Sequence, residues 1–270
     1  MGKIIYLILI VLCNKNKYNN SMGKRYNKFI ENLTKVEDFL FPSYACLCCG
    51  REAIFSNDYH ICDECMQKIN FTKDKFCLRC GEIISGDYNF CITCKSKSYH
   101  FDFARSVFAY DKISAPIILR FKFQGNKDYS KYLGKLLADF FSSSDLIASV
   151  ATFVPTSKER LKERGFDQSK ELCKEFCFLT GLHFVDCLER KKDLPKQSTL
   201  NADQRRINIK DAFKVNEKQL IKGKEVLLID DVLTTGATAN ECAKELIKAG
   251  AVNVCVLTVA KTPELWVKES

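Results

Sequence analysis

The sequence predicts an α/β fold, a parallel sheet with helices on both faces, preceded by a small cysteine-rich metal module. Two observations predict it. Eight of the 15 cysteines fall in four Cys-x-x-Cys pairs between Cys46 and Cys94, and from about Phe101 onward apolar runs alternate with stretches of helical period. The chain has 270 residues, 46% of them hydrophobic, enough for one large core or two modest ones. With 20 Phe but only 12 Gly and 5 Pro, it is neither fibrous nor disordered.

The paired cysteines are Cys46/Cys49, Cys62/Cys65, Cys77/Cys80 and Cys91/Cys94. Two intervening residues let both thiolates of a pair turn toward one ion, so the spacing fits tetrahedral zinc better than an oxidised secreted scaffold. Gly50 and Gly81 each follow the second cysteine of a pair, where glycine relieves crowding as the backbone wraps a metal. The segment also repeats, each half supplying four sulfurs. Sequential pairing assigns Cys46, Cys49, Cys62 and Cys65 to one site, and Cys77, Cys80, Cys91 and Cys94 to the other. A cross-braced pairing stays open, and Cys48 is an extra thiol able to compete for the first site. Short ribbons bury too little to fold alone, so metal would supply their folding energy. The other seven cysteines, Cys173, Cys177, Cys242 and Cys255 among them, read as small core residues, which favours a reducing cytoplasm.

In the C-terminal part, Arg105–Tyr110 reads as a strand. Ser114-Ala115-Pro116 starts a helix that Gly125 can end, and Tyr129–Phe141 reads as a second helix. Thr152–Val154 is a short strand and Gln168–Leu179 a helix closed near Gly181. Val226–Ile229 lacks polar alternation, as in a strand buried on both faces. After Thr238 the period is helical: Ala239, Cys242, Ala243, Leu246 and Ile247 share one face, and Glu241, Lys244, Glu245 and Lys248 the other. Gly250 suits the end of that helix, and Val252–Val259 gives the next strand, completing a βαβ unit.

The thirteen residues from Val226 to Thr238 carry the chemistry. Ligands of open α/β sheets bind at the carboxyl ends of strands, where Asp230 and Asp231 would accept hydrogen bonds from vicinal ribose hydroxyls. Thr234-Thr235-Gly236-Ala237-Thr238 offers hydroxyls, free backbone N–H groups and the positive end of a helix to a phosphate. A sugar phosphate satisfies both halves. Paired aspartates also occur in metal-dependent phosphotransfer sites, and a glycine-threonine turn can merely cap a helix, but each of those readings explains only half of the run.

This run resembles the phosphoribosyl pyrophosphate (PRPP) signature of type I phosphoribosyltransferases. Three further stretches narrow the resemblance to the ComF family, also described as competence or GntX-like amidophosphoribosyltransferase homologues. They are Val154-Pro155 with Arg160 and Arg164-Gly165-Phe166-Asp167-Gln168-Ser169; Arg190 with Gln197, Arg205, Asn208 and Ala212-Phe213; and Phe121-Lys122 with Gly125. The likeness runs from about Cys46 to Ala260. It implies a type I phosphoribosyltransferase-like sheet, PRPP held by Asp230, Asp231 and Thr234–Thr238, and Mg²⁺ bridging pyrophosphate and ribose oxygens. Arg160, Arg164, Arg190 and Arg205 become candidate pyrophosphate or phosphate ligands. The family usually has Asn at position 167; the extra carboxylate would repel pyrophosphate unless Arg164 paired with it. No catalytic base stands out.

The implied organisation is 1–21 a mis-annotated extension or short apolar segment, 22–44 a helical leader, 45–100 a zinc-ribbon-like module, 101–262 the phosphoribosyltransferase-like domain and 263–270 a tail. Ile4–Cys13 is too short to span a membrane, and Met22 is a plausible true start; a membrane address is the alternative. The formal charge of +9 permits nucleic-acid binding, although 32 Lys against 10 Arg also fits an AT-rich genome. The basic stretch Arg190–Arg206 reads either as a phosphate-facing loop or as a solvated surface. The family implies a role in competence: handling internalised single-stranded DNA beside a helicase-like partner, with no integral membrane partner evident. The alternatives are an active Mg-dependent phosphoribosyltransferase acting on an unidentified nitrogenous acceptor, and a structural scaffold with a vestigial site.

Overall fold

The computed structural model describes residues 45–53, 55–73, 75–123, 127–191 and 209–263. All lie within one compact unit, Ala45–Ser270. Expectations for residues 1–44, Gly125, Gln197, Arg205, Arg206, Asn208 and the tail from 264 fall outside the described residues.

The cysteine segment folds as two copies of one turn. Gly50 N–H donates to the Cys46 carbonyl (2.8 Å) and Gly81 N–H to that of Cys77 (2.9 Å). Both glycines are left-handed, φ 76° and 72°, a backbone state that glycine adopts without a Cβ penalty. In each copy the second cysteine pair opens a short helix, α1 (Asp63–Lys68) after Cys62 and α2 (Ile92–Ser96) after Cys91.

The sheet follows: β1 (Phe103–Ala109), β2 (Val150–Phe153), β3 (His183–Phe184), β6 (Glu225–Leu233) and β7 (Asn253–Lys261), in the order β1-β7-β6-β2-β3 and parallel throughout. A separate antiparallel pair, β4 (Leu188–Arg190) and β5 (Phe213–Val215), flanks residues 192–208. The connecting helices are α3 (Ala115–Phe123), α4 (Tyr129–Ser142), α5 (Lys158–Arg164), α6 (Gln168–Thr180) and α7 (Ala237–Lys248). Leu227, Ile229 and Leu257 pack with Phe121 of α3, Leu137 of α4 and Phe176 of α6. Alternate residues Leu228, Val254 and Val256 pack with Cys242 and Leu246 of α7. Helices therefore cover both faces, which explains why β6 and β7 are nearly uniformly apolar.

Two expectations change. On α7, Ile247 is 37% exposed while Glu241 is 7% exposed. Glu241 accepts from Asp211 N–H (3.0 Å) and pairs with Lys244 (2.7 Å), so a helical wheel misassigns it. Strand β6 also runs four residues past the expected end at Ile229, through both aspartates to Leu233.

The ribbons are built into this core. Leu47, Ile61 and Ile69 belong to the same apolar cluster as Phe108 and Ile117. Arg120 of α3 donates through Nη1 to the carbonyls of Leu47 (2.5 Å) and Cys48 (2.7 Å). Gly50 makes room for that guanidinium: a Cβ there would lie 2.6 Å from Nη2. The second ribbon rests on β1. Ala104 N–H donates to the Arg79 carbonyl (2.7 Å), and the buried Arg105 guanidinium donates to the Leu78 carbonyl (3.0 Å) and lies over the Phe76 ring. Arg120→Met is expected to cost about 2–3 kcal/mol, because it strips a charged donor from half-buried carbonyls. Chemical denaturation should show it, with weakened zinc retention under chelator.

Candidate functional site

The carboxyl ends of β2, β6 and β7 define the site. Val154 N–H donates to the Ile229 carbonyl and Thr262 N–H to the Leu233 carbonyl, both at 3.0 Å, which fixes the loops leaving the sheet. Because β6 continues through Asp230 and Asp231, their side chains leave on opposite sides of the strand. Asp230 accepts from the Ser169 hydroxyl at the start of α6 (2.8 Å) and from Asp231 N–H (2.9 Å). Asp231 pairs with Lys122 of α3 (3.0 Å). Burial first, then the neighbouring Asp231 charge, pushes the Asp230 carboxyl up to about 7 despite those two hydrogen bonds.

The next turn is the expected loop. Gly236 is left-handed (φ 76°) and starts α7 with no side chain of its own to cap it, and a helix start of this kind suits an outside anion. Gly236 packs under the Tyr99 ring, which a Cβ would approach to 3.3 Å. The Thr235 hydroxyl accepts from Ala237 N–H (3.3 Å), Thr234 is exposed and Thr238 half-buried. The Thr234 carbonyl accepts from the buried Lys261 ammonium at 3.1 Å. Beside the loop opens a cleft of about 280 Å³ lined by Lys97, Tyr99, Ile209, Thr235 and Asn240 among others.

The arginines differ in fate. Arg164 donates to Gln168 Oε1 (2.9 Å) and lies over the Phe123 ring. Its Nε and the Gln168 Nε2 are buried donors without a partner. Burial holds its guanidinium below the usual value, opposed by the charge of Asp231. Arg160 is exposed on α5. Arg190 is half-buried over the Phe213 ring. Asp167 does not pair with Arg164: it caps α6, accepting from Lys170 N–H (3.2 Å), and accepts from Thr156 N–H (2.8 Å). Its carboxylate is met by backbone N–H donors and not by the Arg164 guanidinium. Sequence reasoning gave Lys122 and Ser169 no role, and missed Lys261 altogether. A lone lysine ending the apolar run Val254–Ala260 was the available signal.

The cysteines gather as two groups of four: Cys46, Cys49, Cys62 and Cys65, and Cys77, Cys80, Cys91 and Cys94, with the sulfurs of each group within 4.8 Å of one another. This is the sequential pairing. A zinc–sulfur bond of about 2.3 Å sets a tetrahedron edge of roughly 3.8 Å. Cys49 and Cys62 are 3.9 Å apart and Cys80 and Cys91 3.7 Å, so the residues fit zinc. Cys48 stays outside the first group and donates to the Ile113 carbonyl (2.9 Å). Cys173, Cys177, Cys187, Cys242 and Cys255 are buried thiols in the core.

Two outcomes follow. Elemental analysis should find two zinc ions per chain, and a Cys80→Ser, Cys91→Ser variant should retain one. The Asp230 carboxyl keeps its proton in the folded chain to about pH 7, whereas an unfolded aspartate loses it near ~4. The folded state therefore binds more protons in that window, and this group's stability contribution declines as pH rises through it. Asp230→Asn should raise the ligand-free Tm by roughly 3–8 °C at pH 8 and change it little at pH 4, as a thermal-melt series would show.

Comparison with known proteins agrees with this geometry. Residues 36–98 match the double zinc ribbon domain, and residues 164–270 the phosphoribosyl transferase domain. The DNA utilization protein YhgH of Escherichia coli (strain K12) is 27% identical over 231 residues, 82% of this chain and 98% of the relative. Competence protein ComFC of Streptococcus pneumoniae is 28% identical over 221 residues, 80% of this chain and 88% of the relative. Competence protein F of Haemophilus influenzae is 28% identical over 229 residues, 82% and 98% of the two chains. With ribbon and transferase domains in this order, and relatives of these names along its length, the chain is similar to proteins of the ComF family.

Proposed function

We propose that this chain binds PRPP with Mg²⁺ in the cytoplasm and acts in natural competence, handling internalised single-stranded DNA. The observation that carries the ligand is one junction. Strand β6 delivers two aspartates to the carboxyl edge of the sheet, and the turn after it opens α7 through a left-handed glycine among threonines. Hydroxyl donors suit the acids, and an anion suits the helix end. Competence is supported by the names of the relatives, and DNA by those names and the net charge of +9. Asp230 and Asp231 would face ribose hydroxyls and Mg²⁺, which supplies charge neutralisation to pyrophosphate when bound. Residues Thr234–Thr238 would hold the 5′-phosphate. A helicase-like partner belongs to the same reading.

One feature favours turnover as a second reading. The partnerless buried donors Arg164 Nε and Gln168 Nε2 suit a departing pyrophosphate. In that reaction the C1–O bond to pyrophosphate breaks as a C1–N bond forms, and the nitrogenous acceptor loses a proton.

Calorimetric titration with PRPP and Mg²⁺ tests the first claim. Asp230→Ala and Asp231→Ala should each weaken binding at least ~100-fold, the scale of losing partners in a desolvated site, and leave the zinc in place. Unchanged affinity in both variants sinks the placement. Single-stranded DNA binding should fall linearly on a log–log plot against salt, and its absence at low salt would defeat the DNA role. Pyrophosphate release with a panel of nitrogenous acceptors decides turnover.

A further inference from the structure

We infer that Lys261 is a positioning residue for the phosphate loop, held in place by Glu82 of the second zinc ribbon. The inference rests on the PRPP-binding reading and extends it to a residue outside the Val226–Thr238 run.

Strand β7 is buried along its whole length after Asn253, and every residue from Val254 to Ala260 but Thr258 is apolar. Lys261 ends it, and the residue is only 7% exposed. A buried ammonium is costly unless hydrogen bonds and opposite charge compensate it. Lys261 Nζ finds the carbonyls of Thr234 (3.1 Å) and Thr262 (2.6 Å), with Glu82 Oε2 at 3.9 Å. The first of these is the opening residue of the phosphate loop. A trans peptide sets its C=O and the next N–H in opposite directions. Anchoring the Thr234 carbonyl on Lys261 therefore turns the Thr235 N–H away from the strand end. The ammonium also adds a positive charge behind the loop, in a region of low dielectric.

Glu82 brings in the metal module. It directly follows Gly81, and its carbonyl accepts from Cys77 N–H (2.7 Å). The turn that presents Cys77 and Cys80 thus also places the carboxylate facing Lys261. Gly81 is seated against the backbone of β1, where a Cβ would lie 2.7 Å from the Ala104 carbonyl oxygen. The geometry links the second four-cysteine cluster to the phosphate loop by one chain of contacts: ribbon turn, Glu82, Lys261, Thr234.

The test uses the full zinc-loaded chain and three probes: PRPP, ribose 5-phosphate and inorganic pyrophosphate. Lys261→Met should keep two zinc ions, lose roughly 10–100-fold in affinity for PRPP and for ribose 5-phosphate alike, and bind pyrophosphate as the wild type does. Glu82→Gln should lose less, about 3–10-fold, and add nothing on top of Lys261→Met. Ribose 5-phosphate affinity unchanged in Lys261→Met overturns the inference. So does an equal fall for all three probes together with a collapsed Tm, which marks a role in stability alone. If Lys261→Met does not fold, Glu82→Gln decides, and wild-type affinity for ribose 5-phosphate in that variant overturns the link. A wild-type protein that binds neither PRPP nor ribose 5-phosphate removes the PRPP reading itself, and this inference with it.

Discussion

Two carboxyl groups stand at the end of a strand whose other residues are almost all apolar, and the surrounding structure is arranged to tolerate them. Desolvating a carboxylate is expensive, so each needs a partner. Asp230 takes a hydroxyl from the first turn of α6 and Asp231 an ammonium from α3. Both helices, packed on the sheet through apolar residues such as Phe121 and Phe176, thus also serve an acid each. Helix α3 in turn carries Arg120, which ties the first ribbon's backbone to the same helix that serves Asp231. Asp231 and the first ribbon thus answer to one short helix.

This arrangement explains why the ribbons are more than an appendage. Alone, each buries little apolar surface, and zinc would contribute most of its folding free energy. In this chain the first ribbon shares the core beneath α3 and α4, and the second clamps the edge of β1 through the Arg105 guanidinium. The second ribbon and the sheet edge therefore share their packing contacts.

Much of this was legible in the sequence. Cys-x-x-Cys spacing is a local signal, and it located all eight sulfurs. The βαβ unit around α7 was legible because an apolar run, a glycine-threonine turn and a helical period lie within about thirty residues. The partners were not legible. Lys122 meets an acid that lies more than a hundred positions away, and nothing in the neighbourhood of either announces the pair. Asp167 read as an unwanted charge because its role as a cap depends on where α6 begins and on the Thr156 backbone. Glu241 read as solvent-facing because the helical wheel knows nothing of Asp211. The two- and three-residue strands β3, β4 and β5 are too short to show alternation at all.

The extension of β6 through both acids has a consequence for selectivity. A sugar that reaches one carboxyl on each side of the strand end must offer two donors at once. A furanose lacking one hydroxyl would satisfy a single acid and leave its neighbour desolvated and unmatched, a loss that polar sites penalise far more than apolar ones. On the proposed PRPP reading, an edge built this way would favour ribose over deoxyribose by counting hydroxyls.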